Sequence, residues 1–126
     1  MSDIKIPEGY QQVMLYLIIQ NAAAFMDFMM KVFDAKEKYK VMRDEHTIMH
    51  GEVSLGECTV MFAESTDAYS VQNAGLFIYV ANADETFQKA LDAGATEVMP
   101  VSDQSYGRSG GVKDPFGNTW WVTSVG

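Results

Sequence analysis

The chain contains few of the residues that crosslink a fold. Cys58 is the only cysteine among 126 residues. A single cysteine excludes an internal disulfide and favours a reducing setting. Because Cys58 falls in a predicted strand, we expect its thiol to be buried. The sequence therefore predicts a cytoplasmic protein without covalent crosslinks.

Positive charge is also scarce. Nine Lys and Arg residues stand against seventeen Asp and Glu residues, which gives a net charge of −8 and a pI near 4.5. The only local cationic run, Lys36, Lys38 and Lys40, is interrupted by Glu37. Nucleic-acid binding needs clustered Lys and Arg to neutralise phosphates. The composition therefore excludes a nucleic-acid partner, and the acidity favours solubility.

No apolar run approaches the roughly 20 residues that a membrane-spanning helix needs. The N-terminal residues have neither the basic start nor the apolar stretch of a signal peptide. The length suits a single domain over residues 1–126, with one hydrophobic core. We therefore expect one domain with no membrane partner.

The first half of the chain predicts a strand, a helix and three further strands. Phe25, Phe28, Met29 and Val32 recur at helical spacing, and residues 48–55 alternate as in a half-buried strand. The predicted elements are strands at 13–19, 38–43, 48–55 and 58–63, and a helix at 22–33 capped by Asn21. Residues 64–73 are polar without periodicity and predict a connecting loop.

The same order then repeats. The predicted elements of the second half are a strand at 75–80, a helix at 84–93 capped by Asn82 and closed by Gly94, a short strand at 96–101 ending at a Pro-containing bend, and a C-terminal β-hairpin. Asn21 aligns with Asn82, Ala35 with Ala95 and Gly56 with Gly117, at offsets that differ by only one residue. This spacing indicates an internal duplication, with modules at about 12–64 and about 75–125.

The C-terminal hairpin carries the most specific signal. Its turn reads Asp-Pro-Phe-Gly-Asn over 114–118, in which Asp114 can accept bonds from the backbone ahead of it and Gly117 or Asn118 can adopt a positive φ. An aromatic and β-branched strand follows. Trp120 and Trp121 must face opposite sides of that strand, and we assign Trp120 to the core.

These features resemble the vicinal oxygen chelate superfamily, which includes glyoxalase I, bleomycin-resistance proteins and extradiol dioxygenases. His50-Gly51-Glu52 is similar to the His-x-Glu of its PhnB-like branch. The resemblance implies an α+β fold in which two βαβββ modules form a curved mixed sheet around a concave cleft, with the helices on the convex side. It also implies a homodimer.

Metalloenzymes of this superfamily take one metal ligand from each first strand and each last strand of a module. The matching positions here are Met14, a residue within 60–62, Leu76 and Trp121. None of these is a ligand for a hard or borderline cation, and Glu64 would stand alone. We therefore predict that the protein lacks the superfamily's metal and has no cofactor.

The resemblance also assigns a ligand site on the concave face. The predicted ligand-binding residues are Tyr16, His50, Glu52, Phe62, Ile78, Arg108 and Trp121, with Leu76 also in the lining. His50 and Glu52 share one side of a strand, so they can act together as an acid–base pair or form a structural hydrogen bond. Tyr106 and Arg108 are placed at the cleft mouth, where Arg108 can pair with an anionic ligand or with a nearby carboxylate.

Three functions remain open at this stage. The first is a metal-free small-molecule-binding protein of the glyoxalase/bleomycin-resistance type. The second is a lyase or dioxygenase-type enzyme that uses His50 and Glu52, either with a divalent metal or as an acid–base pair. The third is a subunit whose cleft serves only assembly. Fold alone does not decide among them.

Overall fold

The structure, a computed structural model, describes residues 3–126 and consists of two units with the same order of elements. The first unit contains β1 (Leu15–Ile19), α1 (Ala22–Phe33), β2 (Lys36–Met42), β3 (Ile48–Leu55) and β4 (Cys58–Glu64). The second contains β5 (Gly75–Tyr79), α2 (Ala83–Asp92), β6 (Thr96–Gln104), β7 (Gly107–Lys113) and β8 (Thr119–Ser124).

Each unit, called a module below, forms a four-stranded mixed sheet. The strand orders are β1-β4-β3-β2 and β5-β8-β7-β6. In each sheet the first and last strands of the module are parallel neighbours, and the other pairs are antiparallel. The predicted α+β fold of two βαβββ modules is therefore confirmed.

The core lies between the sheets and the two helices. Phe25 of α1 packs edge-on against Phe62 of β4, with ring centroids 5.1 Å apart. Phe33, at the end of α1, stacks on Trp120 of the other module at 4.3 Å. Trp120 is almost completely buried, as predicted, and joins the two modules into one hydrophobic cluster.

The two helices begin in different ways. At α2 the side chain of Asn82 accepts a hydrogen bond from the Glu85 amide at 3.1 Å, as its N-cap position predicts. At α1 Asn21 has a left-handed backbone and makes no side-chain cap, so that prediction is wrong. Instead, the Glu64 carboxylate accepts from the amides of Asn21 and Ala22 at 2.8 and 2.9 Å. A negative charge at this position also favours the helix dipole.

Buried Asp114 holds the turn between β7 and β8. One carboxylate oxygen accepts from the amides of Phe116 and Asn118, both at 2.9 Å. The other accepts from the Asn118 side chain at 3.0 Å and from the Trp120 indole at 2.9 Å. Gly117 supplies the positive φ. The predicted Asp-Pro-Phe-Gly-Asn turn is confirmed, and its aspartate also orients the core tryptophan.

Some details differ from the prediction. β6 continues through Pro100 to Gln104 because it is an edge strand, where the missing amide and two register shifts are tolerated. The thiol of Cys58 is exposed, not buried, because Cys58 begins its strand next to a turn. Within residues 3–126 no helix is long and apolar enough to cross a membrane.

Candidate functional site

Each sheet has one side that packs on the helices and one side, called the open face below, that does not. Strand register assigns the residues to these sides, because neighbouring partners point the same way. On the first sheet, Glu52 pairs with Met61 and His50 pairs with Ala63, which places all four on the open face. Tyr16 pairs with Met61 and joins them.

Four side chains of the first open face form a continuous hydrogen-bonded series. The Tyr10 hydroxyl donates to Glu52 Oε1 at 2.6 Å. Glu52 Oε2 lies 2.8 Å from His50 Nε2, and His50 Nδ1 lies 3.2 Å from the Tyr16 hydroxyl. The structure thus brings together the predicted residues Tyr16, His50 and Glu52, and it adds Tyr10.

Glu52 is the buried member of this series, with a relative exposure of 4 %. Burial raises the pKa of its carboxyl, but the hydrogen bonds from Tyr10 and His50 outweigh burial and leave the pKa lower than usual. The same contact raises the pKa of the Tyr10 hydroxyl. At neutral pH the site therefore holds a carboxylate whose two oxygens are both engaged.

Tyr10 belongs to an N-terminal segment, residues 4–12, that crosses the first open face. Gly9 has a positive φ, and its carbonyl accepts from Lys38 Nζ and from the Thr59 hydroxyl. The Gln11 side chain accepts from the Thr59 amide at 2.9 Å. Lys38 Nζ also lies 4.3 Å from the centre of the Tyr10 ring. These contacts fasten the segment directly over Glu52.

The open face of the second module is aromatic and has no such cover. Phe77 and Tyr79 are 50 % and 66 % exposed, and the Phe77 ring lies 5.3 Å from Tyr79 and 6.1 Å from Tyr106. Trp121 lies on this face too, because it pairs with Phe77 and with Gly111, whose missing side chain leaves room for the indole. The predicted orientation of Trp121 is therefore correct.

Three predicted lining residues lie on the helix-facing side instead. Phe62 packs on α1, and Gly51 opposite it is needed there because a Cβ would come within 2.6 Å of the phenyl ring. Leu76 pairs with buried Trp120, and Ile78 pairs with buried Val122. Side chains alternate along a strand, so a shift of one residue reverses the side that they face.

Arg108 also lies away from the open face. It pairs with Ser124 on β8, two positions along β7 from Gly110, and its guanidinium donates to Asp84 of α2 at 2.6 and 3.0 Å and to Asp103 at 3.0 Å. Hydrogen bonds that the guanidinium donates to Asp84, and next to Asp103, raise its pKa. Carboxylates accept from Nε, Nη1 and Nη2 of the guanidinium. The expectation that Arg108 lies at the cleft mouth is therefore wrong.

The residues at the superfamily's metal-ligand positions do not fit a metal ion. By register, the open-face residues on or next to the first and last strands include Met14, Met61, Phe77 and Trp121. None has an imidazole or carboxylate ligand. Glu64, the nearest carboxylate in the sequence, caps α1. Within residues 3–126 no three His, Cys, Asp or Glu side chains form a cluster that could hold a metal.

Two cavities lie near these residues. One of about 440 Å³ opens between the N-terminal segment and the first open face, and its lining includes Ile4, Ile6, Tyr10, Met14, Glu52 and Met61. Another of about 570 Å³ lies between the two modules and includes neither His50 nor Glu52. We place the candidate site at the first cavity because the buried Glu52 carboxylate and its Tyr10 partner lie in the lining.

The sequence prediction missed Tyr10, Lys38 and Thr59. Their only signal was Pro7-Glu8-Gly9, a turn-forming sequence that indicates a reversal before the first strand. In the structure the Tyr10 amide does bond to the Pro7 carbonyl at 3.1 Å. The partners of that turn are about forty residues distant in sequence, and no local pattern identifies them.

Residues 10–122 match the family model described as the glyoxalase/bleomycin resistance protein/dioxygenase superfamily. Uncharacterized proteins of Mycobacterium bovis and Mycobacterium tuberculosis are 34 % identical over 117 residues, covering 83 % of this chain and 77 % and 69 % of their own lengths.

Solved structures share the architecture at lower identity. TioX from Micromonospora sp. ML1 is 23 % identical with a TM-score of 0.73, covering 92 % of this chain and 97 % of its own. A PhnB protein from Bacillus cereus is 18 % identical with a TM-score of 0.72, covering 91 % and 100 %. The fosfomycin resistance protein FosX from Mesorhizobium loti is 16 % identical with a TM-score of 0.67, covering 92 % of each. These likenesses show the fold.

Proposed function

The chain belongs to the glyoxalase/bleomycin resistance protein/dioxygenase superfamily, and from that premise we propose that it binds a small molecule at the first open face without a resident metal ion. The observation that carries the proposal is the series Tyr10, Glu52, His50 and Tyr16. It places a buried carboxylate in the lining of a largely apolar cavity and bonds an imidazole to that carboxylate. A few polar groups within an apolar lining are typical of small-molecule sites.

The PhnB-like branch is part of this proposal. The His50-x-Glu52 pattern and the likeness in fold to the PhnB protein from Bacillus cereus support it. TioX, FosX and the PhnB protein share this architecture and have different names. Because one fold hosts many functions, the ligand must be read from the side chains of the site.

We also propose that the protein forms a homodimer through the second open face. Phe77, Tyr79 and Tyr106 form an exposed aromatic patch next to Trp121. Aromatic residues are enriched at the centres of protein interfaces. A second copy that covers this patch would remove it from water and leave the first open face to the ligand.

One observation favours a second candidate function, an enzyme that uses an acid–base pair. Glu52 Oε2 lies 2.8 Å from His50 Nε2, and the lowered pKa of the Glu52 carboxyl keeps it ionised at neutral pH. A carboxylate in this position fixes the tautomer of the imidazole, whose Nδ1 then lies 3.2 Å from the Tyr16 hydroxyl on the open face. His50 would act as the base and Glu52 as its positioning residue.

Native mass spectrometry of the freshly purified, untagged chain tests the binding proposal. We expect a dimer without bound metal, and any small molecule that it carries should be lost from Glu52→Gln. Arg108→Ala is the matched control, because Arg108 lies on the helix-facing side and its removal should not release the molecule. A stoichiometric metal ion in the wild-type protein would overturn the metal-free proposal.

A further inference from the structure

The Tyr10 side chain, which covers Glu52, makes the contacts that a bound phenol would make. Tyr10 places a phenol against the first open face, where its hydroxyl donates to the buried Glu52 carboxylate at 2.6 Å. Its ring lies under the Lys38 ammonium at 4.3 Å. A charged acceptor for the hydroxyl and a cation over the ring recognise a phenol from two directions.

The surroundings extend this subsite into the cavity. The 440 Å³ cavity has apolar groups from the N-terminal segment and the sheet, namely Ile4, Ile6, Pro7, Met14 and Met61, and polar groups from Lys5, Gln11, Gln12 and Glu52. Methionine side chains adapt their shape to apolar ligands. The cavity reaches Glu52 itself, so a ligand that entered it would compete with the Tyr10 hydroxyl for the same carboxylate oxygen.

The N-terminal segment is fastened by contacts that can open without disturbing the sheet. Gly9 bonds to the side chains of Lys38 and Thr59, and Gln11 bonds to the Thr59 amide. No residue of the segment pairs with a strand in a β-ladder. Its removal would therefore expose the Glu52 carboxylate and leave the four strands paired.

We propose that Tyr10 occupies the protein's own ligand subsite, and that its ligands are phenols or other aromatic molecules with a hydrogen-bond donor, which displace it. This inference rests on the proposed small-molecule site and names its ligand class. In the free protein the subsite is filled from within. The apparent affinity for a ligand is then reduced by the fraction of molecules in which Tyr10 is bound.

The probe that tests this is p-cresol, the side chain of tyrosine as a free molecule. The matched probe is 4-methylanisole, which has the same ring but cannot donate a hydrogen bond. We expect p-cresol to bind full-length Tyr10→Ala about tenfold more tightly than the wild-type chain, because the internal competitor is gone. The methylated probe should bind both proteins poorly. Tyr69→Ala, which removes an exposed tyrosine of the loop between the two modules, should bind p-cresol like the wild type.

NMR of the two histidine side chains gives the readout. His50 contacts Glu52 directly, and His46 lies in the turn between β2 and β3 as an internal control. Before any probe is added, Tyr10→Phe and Tyr10→Ala should shift the His50 ring signals and not those of His46. Titration with p-cresol should then move the His50 signals of Tyr10→Ala. The same spectra report whether each variant is folded.

Three results would overturn the inference. The first is a His50 signal that does not respond to either Tyr10 variant, which would mean that Tyr10 is not at Glu52 in solution. The second is equal or absent p-cresol binding in the wild type and Tyr10→Ala. The third is equal binding of the methylated probe. Each can occur while native mass spectrometry still shows a molecule held through Glu52, so the two proposals fail separately.

Discussion

The two modules have the same strand order but differ in how their best-defined cap and turn are held. In the second module the contacts of Asp114 and Asn82 are local, although Ser124 accepts from the Ala83 amide across 41 residues and Arg108 reaches Asp84 across 24. Asp114 bonds to groups within six residues of itself, and Asn82 caps the helix three residues ahead. In the first module the helix cap and the contact that covers Glu52 are both distant in sequence. Glu64 caps a helix 42 and 43 residues away, and Tyr10 reaches Glu52 across 42 residues.

This difference coincides with the division of chemical roles. The first module has the buried carboxylate, the imidazole and the covering segment. The second module has an aromatic and largely exposed open face. A duplicated unit needs its polar groups satisfied in both copies, and in the first copy the Tyr10 hydroxyl that satisfies Glu52 comes from outside the sheet.

Asp114→Ala should produce the largest loss of stability. The substitution leaves the buried indole of Trp120 and the amide of Asn118 without an acceptor, and each unsatisfied donor costs on the order of 1–3 kcal/mol. We expect the free energy of unfolding in urea to fall by about 3 kcal/mol or more. Gly56→Ala, in the corresponding turn of the first module, is the control. It strains a positive φ in open space and should cost about 1 kcal/mol. Equal losses would refute this contrast between the turns.

Glu64→Ala and Asn82→Ala should each lower the free energy of unfolding by about 1 kcal/mol, because each removes the cap of one helix. Circular dichroism of isolated peptides separates them. In a peptide over residues 81–93, Asn82→Ala should lower the helix content, since the cap is local. A peptide over residues 20–34 lacks Glu64 altogether, so its helix content should rise when a terminal carboxylate is supplied by Asn21→Asp. If the 20–34 peptide were as helical as the 81–93 peptide without an added carboxylate, the α1 cap would be local too.

The smallest expected effect concerns pH. The pKa of the Glu52 carboxyl is lowered in the folded protein, so its contribution to stability is present above the ordinary value of 4.5 and is lost as the pH falls through the lowered value. Urea unfolding of the wild type and Glu52→Gln should therefore differ most near neutral pH, by about 1 kcal/mol, and converge in acid. A constant difference between the wild type and Glu52→Gln at all pH values would contradict the ionised, doubly bonded carboxylate.

The local features of the fold were predictable from the sequence. Helical spacing of Phe25, Phe28 and Met29, the cap at Asn82 and the turn at Asp114 all act within a few residues. The assignments that were wrong depended on the partner strand. Phe62 and Ile78 were placed one residue out of register because alternation gives two equivalent sides, and only packing on the helices distinguishes them.

The candidate site was predictable in part. His50 and Glu52 share a strand, so their common side follows from the period of two, and Tyr16 of β1 joins them across β4, where both Tyr16 and Glu52 pair with Met61. Tyr10 and Lys38 could not be predicted, since neither belongs to a pattern that points to Glu52. Arg108 was assigned to the cleft mouth from the resemblance, with pairing to a nearby carboxylate as the alternative, and the structure shows that alternative. Its carboxylate partners, Asp84 and Asp103, lie on other elements.

The sequence alone determined the two βαβββ modules, the turns and the helical faces, because these depend on backbone geometry and on burial patterns within short stretches. The tertiary structure alone decided which side chains share the site. It placed Tyr10 and Lys38 next to Glu52. It also made Glu64 the cap of α1 and paired Arg108 with Asp84 on the helix-facing side. The physical reason is that hydrogen bonds and ion pairs act over about 3 Å, so their partners are fixed only when distant segments meet.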